Sequence, residues 1–226
     1  MAEAIVIFDV DGVLLELTPA EEAAFFWPFE ELHGLTGLSP DWDSYRIRND
    51  EDIIAEILEN HLARPPSDGE RAAIVAAYLA HLSEGLRTER VIPLAIAGAG
   101  ELLEQLTARG LATGIATANL REAARMRLEH AGLWPRVMDH AHGADGGGSK
   151  RDILARAIAA SGFPRDRIVY VGDNLNDLDA GLANNVHFVG FAPDAIRGQR
   201  LSSAGAKRVS GDHRETLRHI RQCLGL

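Results

Sequence analysis

The chain has 226 residues, 46% hydrophobic and 25% charged, the profile of a globular protein with room for one domain carrying an insertion or for two modest domains. Its formal charge of −10 argues against a general nucleic-acid binder and offers anionic ligands no long-range attraction, so any phosphate site must be built locally. A single cysteine, Cys223, excludes a disulfide framework and a thiolate-metal cluster; with no basic leader and no apolar run near the roughly 20 residues that span a bilayer, the expectation is a cytoplasmic protein with no membrane partner.

In chain order, the apolar run Ala4–Phe8 predicts a buried strand that stops on Asp9, with Asp11 and Gly12 close behind. Carboxylates held that close repel unless a cation or a shared proton compensates. Residues 20–34 predict a helix that Pro28 should kink or break. Residues 50–62 place Ile53, Ile54, Ile57, Leu58 and Leu62 on one helical face. Arg64-Pro65-Pro66 ends that helix, and Ser67, with Glu70 three residues on, caps another that runs to about Leu86. A strand followed by an all-helical block predicts a helical cap over 14–92, inserted into a core made of 1–13 and 93–226.

Alternation then resumes. A helix near 98–109 stops at Gly110; Leu111–Ala116 is a strand; Arg121–Ala131 is a helix; Arg136–His140 is a weaker strand. Lys150–Ser161 is a helix, Ile168–Val171 a strand, Asp177–Ala183 a helix and Val186–Val189 a strand, and a terminal helix covers 213–224. Strands separated by helices at this spacing predict an α/β fold: a Rossmann-like, doubly wound parallel sheet with an inserted α-helical cap.

The strand ends of a parallel sheet share one edge, which is where open α/β sheets bind ligands. That edge gathers Asp9 and Asp11, then Thr117-Ala118-Asn119, then Lys150 behind the loop Gly146-Gly147-Gly148, then Asp173 and Asp177. Hard oxygen ligands suit Mg2+, which takes one or two protein carboxylates and leaves room for a substrate phosphate. Lys150 opposes the dipole of the helix it opens, a misfit that phosphate binding beside the Thr117 hydroxyl would explain. Backbone N–H groups after Asp9 and Thr117 are further phosphate donors. With no serine or cysteine triad in sight, the best nucleophile is an aspartate. His140 and His142 lack acids at ligand spacing and are not read as a metal pair. Phe25, Phe26 and Trp27 read as cap core. In the run YRIRNDED, Arg46 is the candidate for an arginine that reaches a second anionic group of the substrate, against the plainer reading of a surface arginine.

The order DxDGV, an apolar strand ending in Thr, a Lys, then GDxxxD resembles the haloacid dehalogenase superfamily, and most of all its capped phosphoglycolate phosphatase and β-phosphoglucomutase-like branch. The resemblance implies that Asp9 is the nucleophile and Asp11 first the general acid and then the base. It implies that Asp9, the Asp11 carbonyl and Asp173 hold Mg2+, with Asp177 positioning Lys150 or the metal waters. Thr117, Ala118 and Asn119 would bind the phosphoryl group together with Lys150. Asp11 favours phosphate esters over halides, because an alkoxide needs a proton to leave. No lysine occurs between 14 and 90, so the Schiff-base chemistry of the phosphonate-cleaving relatives is not expected. Lys150-Arg151 and Ala97-Gly98-Ala99 depart from the usual Lys-Pro and Pro-Gly-Ala. The implied function is a Mg2+-dependent phosphatase acting on a small phosphorylated metabolite through an aspartyl-phosphate. The alternatives are a phosphomutase and a catalytically silent binding protein on the same fold.

Overall fold

The apolar run Ile5–Phe8 forms β1 with all four residues buried, as a strand covered on both faces requires. In the computed structural model, which describes residues 2–226, β1 pairs in parallel with β2 (Ala112–Ala116) and β4 (Ile168–Gly172). With β3 (Ala141–His142), β5 (His187–Phe191) and β6 (Val209–Ser210) the sheet runs β3-β2-β1-β4-β5-β6. This is a doubly wound α/β sheet. Winding reverses between β1 and β4, so a crevice opens beyond the carboxyl ends of those two strands.

Alternation along β1 sends side chains to opposite faces. Val6 and Phe8 pack with α4 (Ala99–Ala108), α5 (Arg121–His130) and α9 (His213–Leu224). Ile5 and Ile7 pack with α6 (Lys150–Ser161), α7 (Leu175–Ala183) and α8 (Ala195–Ser203).

Between β1 and β2 the chain adds α1 (Pro19–His33), α2 (Asp50–Leu62) and α3 (Asp68–Arg87), with a short 3-10 turn at Trp42–Ser44. Their apolar faces form a separate core around Phe25, Phe29, Ile54, Leu58, Ile74 and Leu82, which also takes Leu120 and Ala123 from the start of α5. Each such side chain, fully buried, contributes about 1.5–3 kcal/mol. Leu14 and Leu15 lie in the sheet's own core, and Leu15 bridges to Ala95. Among the described residues no helix is long and apolar enough to cross a membrane.

Two expectations about elements need correction. Pro28 does not break α1, which continues to His33. Pro28 is buried on the same helix as Phe25 and Phe29, and the packing of that apolar face offsets the lost N–H bond. The strand expected at Arg136–His140 is instead two 3-10 turns, Trp134–Arg136 and Met138–His140, and β3 is only the two residues that follow. Pro135 sits in the first turn, which it favours over a strand, and the Thr113 hydroxyl donates to the Arg136 carbonyl. The sequence reading also missed α8 and β6.

Candidate active site

Loops at the carboxyl ends of β1, β2 and β4 and the first turn of α6 meet under the helical insert, around a cavity of about 480 Å3. Asp9, Asp11, Thr117, Ala118, Asn119, Lys150, Asp173 and Asp177 all line it. Asp9 is buried at the end of β1, its N–H tied to the Val171 carbonyl at 2.9 Å. Its Oδ1 accepts from the Val10 N–H and from Lys150 Nζ, both at 2.7 Å. Among the described residues its Oδ2 has no partner, so one oxygen is fixed and the other is free to react.

Lys150 opens α6, and its ammonium lies between Asp9 and Asp177, 3.2 Å from the latter. Burial works against that charge, but Asp177 and then Asp9 hold its pKa above the ordinary lysine value. For Asp9 burial is again the first effect and raises the carboxyl; Lys150 opposes it, while Asp177 and Asp173 add to it. Asp177 is wholly buried and fully engaged. One oxygen takes the Tyr170 hydroxyl at 2.6 Å as well as Lys150, and the other takes the N–H groups of Asp173 and Asn174. Asp173 follows β4 and is held by the Asn174 amide and by Arg197 Nη1. Burial, then Asp177, pushes Asp173 up to about 6.

Asp9, Asp173 and Asp177 can bring carboxylate oxygens within 4.8 Å of one another. Gly12 makes the approach possible: its φ is +76°, and a Cβ there would collide with the Asp173 carboxylate. Buried carboxylates gathered this closely, with oxygen donors only, fit a hard divalent cation.

On the β2 side, buried Thr117 accepts the Asn119 N–H at its hydroxyl, 3.2 Å away. The N–H groups of Asp11 and Ala118 make no hydrogen bond among the described residues and lie in loops that line the cavity. The first turn of α2 clasps two of these loops. Asp50 N–H donates to the Ala118 carbonyl, and the Asp50 carboxylate accepts from Leu120 N–H at 2.8 Å. Glu51 accepts from Gly146 and Gly147, and Asp52 from Gly148 at 2.9 Å. These three glycines all have positive φ, which turns their N–H groups toward the helix and which side-chain-bearing residues rarely adopt.

Arg46 does not reach this cavity, which corrects its place as a candidate substrate ligand. Its side chain is 66% exposed, pairs with Glu56 and Glu59 of α2, and lines a separate shallow depression. Arg48, two residues on, does line the cavity, because the loop bends between the two residues.

Three arginines escaped the sequence reading. Arg127 on α5 is 2% exposed and sits between Asp11 and Glu21. The signal was present: Leu120, Ala123, Ala124 and Leu128 mark the buried side of α5, and Arg127 falls on it, where a charge must be paired. Arg197 and Arg200 line the outer cavity from α8. Their helix was signalled by Asp194, an N-cap directly after Pro193.

The model of the haloacid dehalogenase-like hydrolases matches residues 4–185. The tyrosine-protein kinase PtkA of Mycobacterium tuberculosis is 26% identical over 98% of this chain and 72% of its own length. A hydrolase from Pseudomonas syringae superposes with a TM-score of 0.70 at 22% identity, covering 97% of this chain and 98% of its own. A predicted phosphoglycolate phosphatase from Haemophilus somnus gives a TM-score of 0.70 at 16% identity, with 96% and 97% covered.

Proposed function

Since the chain belongs to the haloacid dehalogenase-like hydrolase family, we propose that it is a Mg2+-dependent phosphatase of a small phosphorylated metabolite, working through an aspartyl-phosphate on Asp9. The observation that carries this reading is the state of Asp9: one oxygen pinned by Val10 N–H and Lys150, the other free and facing a cavity lined with phosphate donors. The free oxygen attacks phosphorus. Lys150, the Thr117 hydroxyl and the N–H groups of Asp11 and Ala118 hold the phosphoryl oxygens and neutralise their charge, which is most of what phosphoryl transfer needs.

Asp9 and Asp173, with the Asp11 carbonyl, would hold the metal, and Asp177 would orient Lys150 and the Asp173 loop, since both of its oxygens are already engaged. A bound Mg2+ supplies further charge neutralisation at the phosphoryl group. The α1–α3 insert, residues 14–92 in this reading, acts as a cap over the core of 1–13 and 93–226 and keeps bulk water from the reacting group.

The test is hydrolysis of 4-nitrophenyl phosphate with and without Mg2+. Metal-dependent turnover that disappears in Asp9→Asn is expected; none on this or on a panel of metabolite phosphates would defeat the reading. Similarity to PtkA supports a second reading, phosphoryl transfer to a tyrosine side chain. Phosphate from a labelled nucleoside triphosphate appearing on protein tyrosine, rather than as inorganic phosphate, would favour it.

A further inference from the structure

His213 is the first residue of α9 and is 3% exposed. Its ring lies flat on Phe191 at the end of β5, with centroids 4.3 Å apart and planes 13° from parallel. Its Nε2 stands 3.0 Å from the Val13 carbonyl. A carbonyl only accepts, so Nε2 carries the hydrogen and donates it. Nδ1 is buried with no partner among the described residues. An orphaned ring nitrogen carries a cost that a phenylalanine stacked in the same place would not. What the histidine adds over a phenylalanine is the bond to Val13.

That bond falls on the turn that carries Asp11. The Val10 carbonyl accepts from the N–H groups of Leu14 at 2.8 Å and Leu15 at 3.0 Å, and the Gly12 N–H donates to the Leu15 carbonyl at 2.8 Å. The chain therefore coils tightly just after Asp9, and the coil sets the direction of the Asp11 peptide. The Leu14 and Leu15 carbonyls have backbone donors, from Ile96 and Gly12. The buried Val13 has none for its carbonyl among the described residues, and His213 supplies it. His213 also packs on the chain returning from the insert: a Cβ on Gly98 would lie 3.3 Å from the His213 Cβ. Outgoing and returning chains are joined here, Ile96 N–H to the Leu14 carbonyl at 3.0 Å and Glu16 N–H to the Leu94 carbonyl at 2.8 Å. The imidazole thus braces the turn from beneath, on the side away from the cavity; it is not among the cavity's lining residues.

We infer that His213 is a positioning residue for phosphoryl transfer: through the Val13 carbonyl it holds the turn that presents the Asp11 backbone to the phosphoryl group. The inference rests on the phosphatase reading above and adds to it a residue from the far end of the chain. His213 acts through Val13 and touches no reacting atom. A backbone N–H stabilises developing charge only if it is already in place when the charge develops. A small misplacement of such a donor costs turnover even when the change lies away from the chemistry.

The test uses two matched pairs: a ring with and without the donor, wild type against His213→Phe, and a flexible chain with and without it, His213→Gln against His213→Met. Steady-state kcat and KM for 4-nitrophenyl phosphate with Mg2+ are measured well below each protein's melting temperature, with far-UV dichroism to verify folding. His213→Phe and His213→Met are expected to lower kcat by about 10–100-fold with KM changed by less than about threefold, and His213→Gln to stay within about threefold of wild type in both. If His213→Phe does not fold, the His213→Gln and His213→Met pair, close in size and shape, decides alone. A role in stability only would lower melting temperatures and leave the kcat of the folded proteins unchanged. That result, or His213→Gln as slow as His213→Met, overturns the inference and leaves the phosphatase reading standing. No turnover by wild type, on this substrate or on the panel of metabolite phosphates, would overturn both.

Discussion

Two buried cations organise the cavity, and they differ in what holds them. Lys150 is held by Asp9 and Asp177, groups from the sheet edge and the first turn of α7. Arg127 is held by Asp11 from the sheet edge and by Glu21 from the helical insert. The first cluster belongs to one layer and is complete without the insert. The second spans two layers and exists only when α1 is seated on α5. The Lys150 cluster therefore needs only the sheet layer, while the Arg127 cluster depends on where the two layers meet.

The comparison can be broken at either cation. The largest expected effect is on Asp9, where Asp9→Asn should reduce turnover to background. Lys150→Met should lower kcat by about 10²–10³-fold, the usual cost of one preorganised donor to a developing charge. Steady-state kinetics on one aryl phosphate, with far-UV dichroism to verify folding, checks both. If Lys150→Met keeps near wild-type kcat, the Lys150 cluster is structural and the contrast collapses.

Next in size is the Arg127 seam. Arg127→Met alone leaves Glu21 buried without its partner, and about 3–5 kcal/mol of stability should be lost. The double change with Glu21→Gln should recover most of that, which urea unfolding would show as a midpoint returned toward wild type.

Asp50 gives a smaller effect with a defined pH sign. Burial is the main cause that pushes it up to about 7, partly offset by the Leu120 N–H, with Asp11, Arg127 and Asp145 as its charged neighbours. The folded protein then holds a proton that the unfolded chain has already lost, so this group's contribution falls as pH rises from about 4 to about 7. Relative to Asp50→Asn, wild type should be more stable at pH 4 than at pH 8 by a few kcal/mol at most, about 1.4 kcal/mol per pKa unit. Melting temperatures of the two proteins across that range test this; a constant difference would refute it. Smallest of all, Arg46→Ala should change stability by less than about 0.5 kcal/mol, and KM not at all, because its own side chain is exposed and lies outside the cavity.

The same contrast explains what could be read from the sequence. Asp9, Thr117, Lys150 and Asp173 each follow an apolar run or open a helix, so strand order alone brings them to one edge. Arg127 sits among the charged residues of REAARMRLEH, where its burial depends on an insert that closes over α5 from elsewhere in the chain. Arg46 and Arg48 differ only in which side of a loop they occupy, and hydrophobic periodicity says nothing about a loop. The strand expected near residue 136 was lost for a similar reason: Arg136–His140 has no alternation strong enough to resist Pro135 and the hydroxyl of Thr113.

The central place of β1 in the sheet also sets an order of assembly. Ile5 and its neighbours pair with residues about a hundred positions later on one side and about a hundred and sixty later on the other. The insert between them has mostly local contacts and its own core, so it can collapse early, whereas the strand made first waits for partners made much later. During synthesis Ile5–Phe8 is an unpaired, wholly apolar segment, and the yield of folded protein depends on how long it stays that way.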